Sequence, residues 1–151
     1  FGCDVPPAFR RIALLPGSGA GLVVCDASGT FTFRKPAAGF ILPRFGAACP
    51  LWPLYQALGH PMQPVDSLVE MAGQGGGRHR VLAWATTTRP LGPRGPELRE
   101  AGMLILPAQA LRADADTQPG PVLAIGSSCR ICPRPVCPAR REPSILTLSQ
   151  A

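Results

Sequence analysis

The distribution of glycine and proline limits this chain more than any other feature. Its 151 residues include 17 glycines and 19 prolines, spread from end to end. Proline removes a backbone donor and glycine adds chain entropy, so the regular elements are expected to be short and the connections irregular. Such a content approaches that of disordered segments. The apolar content argues otherwise, because 46% hydrophobic against 16% charged residues supplies enough apolar surface to offset chain entropy. One folded domain over residues 1–151 is expected, since the length leaves little room for two cores.

The clearest local pattern is "GLVVCDASGTFTFRK". An apolar run from Leu22 to Cys25 meets the turn residues Asp26, Ser28 and Gly29, and then Phe31 and Phe33 alternate with polar neighbours, which predicts a β-hairpin. "SLVEMAGQGGGRHRVLAWATT" predicts a second hairpin around its glycine cluster, with Val81, Ala83 and Ala85 on one face and Leu82, Trp84 and Thr86 on the other. Between them, Leu51, Leu54, Tyr55 and Leu58 recur at helical spacing, with Pro50 or Pro53 in the first turn and Gly59 as a stop. "PLGPRGPELR" reads as a loop, "MLILPAQALRA" as a strand or helix, and "PVLAIGSS" as a last strand. The order describes an α+β domain, an antiparallel sheet carrying short helices.

The formal charge is +6, and Lys35 is the only lysine among 15 basic residues. Arginine suits bidentate contact with phosphate or carboxylate. No run of about 18 apolar residues occurs, so no membrane-spanning helix is expected. The opening "FGCDVPPAF" has no initiator methionine and no signal-peptide pattern, and the chain is expected to be a piece of a longer or processed protein.

Six cysteines stand at positions 3, 25, 49, 129, 132 and 137. A chain this long with an ample apolar core has no need of a disulfide framework. Cys25, inside "LVVCDA", reads as a small core hydrophobe. In "SSCRICPRPVC" the C-x2-C spacing of Cys129 and Cys132 brings two thiolates to one centre through a tight turn, and Cys137 approaches from the following loop. A tetrahedral set needs a fourth ligand. Cys49 is the candidate, because "ACPLW" repeats the Cys-Pro pairing of Cys132 and Cys137. His60 and His79 lack ligand spacing and read as surface or turn residues. The site is then all-thiolate, with zinc or an iron-sulfur cluster as its occupant. No catalytic constellation accompanies it: there is no G-x-S-x-G elbow, and "GSGAG" lacks the Lys-Ser/Thr of a phosphate loop. No enzyme activity is expected. A dithiol redox pair would need C-x-x-C to open a helix, and Pro133 obstructs that. A zinc-stabilised nucleic-acid-binding module stays open as the alternative, although the arginines are scattered.

Taken together, "VVCDASGTFTFRKPAAGFILPRFGAACPLW", "PVDSLVEMAGQGGGRHRVLAWATTT" and "AIGSSCRICPRPVCPAR" resemble the C-terminal effector domain of the short-chain fatty acyl transcriptional regulators. The resemblance implies a GAF-like fold that senses acyl-coenzyme A and holds a four-iron cluster (4Fe-4S) on Cys49, Cys129, Cys132 and Cys137. It implies a cytoplasmic regulator whose DNA contacts are made by a helix-turn-helix region outside this chain, and a possible homodimer. A coenzyme A thioester carries phosphates and an acyl arm, so its receptor needs arginines at a pocket mouth and an apolar interior. Arg34 and Arg44 would serve as the former, with Phe45, Trp52 and Trp84 as the latter. Loss of the cluster by oxidation would free the two chain segments it joins, a redox input to the attached DNA-binding region.

Overall fold

The computed structural model describes residues 4–107 and 120–146. Six strands form one sheet in the order β2-β1-β5-β4-β3-β6. They are β1 (Gly21–Asp26), β2 (Phe31–Lys35), β3 (Val65–Met71), β4 (Arg78–Thr88), β5 (Leu98–Leu106) and β6 (Leu123–Ile125). Helices α1 (Val5–Leu14) and α2 (Pro53–Gly59) cover its two faces.

Both expected hairpins form, and the first is closed by side chains. Asp26 Oδ1 accepts hydrogen bonds from the Ser28 amide at 2.9 Å and hydroxyl at 2.6 Å and from the Thr30 amide at 3.2 Å. Gly29 takes φ +81°, and a Cβ there would stand 3.2 Å from the Tyr55 ring, so the turn packs directly against α2. β1 is an interior strand between β2 and β5, and it is correspondingly buried from Gly21 to Cys25. The ambiguous "MLIL" stretch is the buried end of β5. The rest of that stretch, residues 108–113, lies outside the described residues, as does Cys3.

Helix α2 starts at Pro53, which occupies its first turn, where a missing N–H costs nothing. It packs Leu54 and Ala57 onto the sheet face made by Val23, Cys25, Val81, Ala83, Ala85, Met103 and Ile105. The opposite face carries Leu22, Val24 and Leu104, with Leu82 and Leu106 packed against them. This face is met by α1 through Ala13 and Phe9.

Three features depart from the sequence reading. The sheet is mixed, because β6 runs parallel to β3 in the register Val69–Leu123 to Met71–Ile125. Helix α1 has no counterpart in the sequence reading; Pro6 and Pro7 sit in its first turn, where helices tolerate proline. His79 is a core residue, 2% exposed. Its ring meets Phe40 edge-on, and its nitrogens face the Ala38 carbonyl at 2.8 Å and the Gly77 carbonyl at 3.2 Å. The β4 alternation already placed it on the same side as Val81, Ala83 and Ala85.

Candidate thiol site

Two distant segments meet beside α2. The Cys49 amide donates to the Ser127 carbonyl at 2.8 Å, and the Trp52 indole Nε1 donates to the Gly126 carbonyl at 2.7 Å. Trp52 is 1% exposed, stacked on Phe31 and edge-on to Phe40. Its burial makes the long-range bond to Gly126 a fixed part of the core. The sequence "ACPLW" is therefore a strap that pins the end of β6 and leaves Cys49 facing the chain beyond it.

Beyond β6 the chain makes one turn of 3₁₀ helix, Cys129–Ile131, closed by the Cys132 amide on the Cys129 carbonyl at 3.4 Å. This is the tight turn that C-x2-C requires. Gly126 lets it pack: a Cβ there would stand 2.9 Å from Cys132 Sγ, closer than real Cβ contacts come. Cys137 arrives from the next loop, whose carbonyl accepts the Arg140 amide at 3.2 Å.

The outcome is a recess lined by Cys49, Cys129, Cys132 and Cys137 together with Arg134 and Arg140. Cys49, Cys129 and Cys132 are buried and Cys137 is half-buried. All five described cysteines are free thiols. Burial is the main cause that pushes the Cys49 thiol up from its ordinary value; backbone bonds at Gly126 and Leu51 oppose it, and the Cys129 and Cys132 thiols add to it. Cys25 lies apart in the core, and there burial pushes the thiol up to about 11.

The donor set is entirely soft sulfur, the chemistry that zinc and iron-sulfur clusters select. Among the described residues, no group of three or more His, Cys, Asp or Glu side chains is placed to hold a single metal ion. A tetrahedral zinc with Zn–S of about 2.3 Å would need sulfurs about 3.8 Å apart. Four cysteines lining one recess match the four thiolate ligands that an iron-sulfur cluster takes.

The five residues expected at an acyl pocket are not gathered into one. Arg34 donates to the Pro43 carbonyl at 2.9 Å and lies 4.8 Å over the Phe31 ring. Arg44 and Phe45 are on an exposed loop, Phe45 at 88%. Trp52 is in the core, and Trp84 is on the other sheet face, in a crevice with Phe9 and Arg10 under α1. The residues that sequence reasoning passed over at the thiol site are Gly126, Arg134, Arg140 and Arg141. The arginines stood inside the same cysteine-rich segment, but nothing in their spacing says which carbonyls they reach.

The fold has a counterpart among transcriptional regulators. A solved structure described as a Mycobacterium tuberculosis transcriptional regulator superposes with a TM-score of 0.77 at 25% identity, over 95% of this chain and 47% of that one. In sequence, the chain is 34% identical over 155 residues to a propionyl-CoA carboxylase regulator of Cereibacter sphaeroides, covering 96% of this chain and 33% of that protein. It is 31% identical over 134 residues to the HTH-type transcriptional regulator RamB of M. tuberculosis, covering 80% of this chain and 27% of that protein. The HTH-type transcriptional regulator PrpR of M. tuberculosis follows at 28% identity over 128 residues, 78% of this chain and 25% of that protein. The chain thus spans about a third or less of the length of these curated relatives. It is a domain of a transcriptional regulator. The family model described as short-chain fatty acyl coenzyme A regulator, C-terminal, matches residues 18–149, and the chain belongs to that family.

Proposed function

We propose that this domain is the sensory part of its regulator, holding an iron-sulfur cluster on Cys49, Cys129, Cys132 and Cys137 and responding to a short-chain acyl-coenzyme A. The observation that carries the cluster reading is that four cysteines from segments about eighty residues apart line one recess. When bound, such a cluster supplies one-electron redox chemistry and a crosslink that oxidants can remove. The chain's own part is to hold the thiols. Trp52 and the Cys49 amide fasten the α2 strap to Gly126 and Ser127, and the Cys129 turn and the Cys137 loop close the other side.

A GAF-like architecture belongs to this reading and is supported by a six-stranded sheet with helices on both faces. The acyl-coenzyme A part rests on the family's description and on the relatives' names. DNA contacts fall to a region outside this chain, as the HTH-type relatives suggest. A cytoplasmic place fits that role, and among the described residues no helix is long and apolar enough to cross a membrane. A ligand or cluster shifts the regulator only by binding two conformations with different affinity. The strap between α2 and the Cys129 loop is the element through which such a difference would act.

The test is a comparison of serine variants prepared without oxygen. Cys49→Ser, Cys129→Ser, Cys132→Ser and Cys137→Ser are each expected to lose bound iron, whereas Cys25→Ser keeps it. Full iron retention in Cys49→Ser would separate the two segments and contradict a shared centre.

A further inference from the structure

The thiol recess has a second layer that is cationic and comes from the same loop. Arg134 Nη1 lies 3.9 Å from Cys137 Sγ and donates to the Ala124 carbonyl at 2.8 Å. Arg140 donates to the Cys129 carbonyl at 3.3 Å and, through Nη2, to the Arg134 carbonyl. Arg141 places its amide 3.5 Å from Cys129 Sγ and its guanidinium on the Ala48 carbonyl, one residue before Cys49. These partners are backbone carbonyls and thiols. Among the described residues, neither Arg134 nor Arg140 is paired with a carboxylate, whereas Arg78, Arg80, Arg89 and Arg99 all are. Two half-buried positive charges therefore face the recess, and among the described residues no carboxylate pairs with either.

Loop stapling alone does not call for that arrangement. An uncompensated cation beside a recess is costly when the recess is neutral and favourable when it holds negative charge. Four thiolates bring that charge, and the potential of a thiolate-held cluster is set by net charge and by hydrogen bonds to its sulfurs. Resting on the cluster reading above, we infer that Arg134 and Arg140 are positioning residues that set the reduction potential of the thiol centre. They favour the reduced state, in which one added electron makes the centre more negative by one unit, and so they bias the regulator's redox response.

The experiment is a one-electron titration with dithionite of anaerobically prepared wild type, Arg134→Gln, Arg134→Lys, Arg140→Gln and Arg140→Lys, read by the visible spectrum. Each Gln variant is expected to lower the reduced-to-oxidised ratio about tenfold at a given ambient potential, about 59 mV for a one-electron couple. Each Lys variant, which keeps the charge and loses the planar fork, is expected to stay near wild type. A Gln variant that fails to retain the cluster while its Lys counterpart retains it supports the same role for charge. Potentials unchanged by Gln, equal shifts in Gln and Lys, or loss of the cluster in both, would each overturn the inference and leave the arginines as loop staples. A wild type without iron and sulfide would overturn the cluster reading itself and this inference with it.

Discussion

Trp52 makes the contact on which the site depends most heavily. Its indole N–H satisfies a buried carbonyl, Gly126, in the segment that leads into the cysteines. Trp52→Phe keeps most of the ring and removes that donor, leaving the carbonyl unpaired, which costs about 1–3 kcal/mol. Denaturant unfolding of the metal-free domain should show that loss, and the variant should retain less iron than wild type. Cys25 gives a contrasting prediction. Burial holds its thiol protonated up to about 11 against an ordinary value of 9.0, so the folded state binds a proton that the unfolded state releases between those values. Stability from this group is complete below about pH 9 and falls as pH rises toward 11. Cys25→Ala should flatten that part of a pH-stability curve measured by thermal unfolding. At this scale the sequence was informative about sulfur: the repeated Cys-Pro pairing pointed from Cys137 back to Cys49, and both line the recess. Arg134 and Arg140 were not legible, because their role depends on which carbonyls a folded loop presents to them.

Among the elements, the two helices divide the labour by face. Helix α2 and the strap before it sit on the sheet face that carries Cys49, Trp52 and Ile125. Helix α1 sits on the other, where Phe9 packs against the Leu22, Val24 and Leu104 cluster. Phe9→Ala should weaken α1 docking by about 1–3 kcal/mol and leave iron content unchanged, a pairing that denaturant unfolding and metal analysis check together. Equal loss of iron would mean that the two faces are coupled. The hairpins and α2 were legible because each combines a clear period with turn chemistry, such as Asp26 to Gly29 or Pro53 before Leu54. Helix α1 was hidden by Pro6 and Pro7, which punctuate a sequence wherever they stand and reveal a first turn only once the helix is seen. Strand β6 forms within "PVLAIGSS" as read, but its parallel pairing with β3 is a tertiary outcome that three residues cannot announce.

For the whole molecule, the fold brings an all-sulfur donor set together from segments about eighty residues apart and fastens it to the core through Trp52 and the Cys49 amide. Disruption of the centre is therefore expected to loosen the Cys129 to Cys137 loop and the α2 strap together, while β1, β4 and β5 keep their own ladder. That asymmetry suits a sensory domain, in which a stable sheet carries a less stable element whose state can change. The most direct test is iron and acid-labile sulfide analysis of wild-type protein prepared without oxygen, read with its visible spectrum. The expected result is about four iron and four sulfide per chain with a broad visible absorbance that air removes. Colourless protein containing zinc, or no metal and no sulfide, would contradict it.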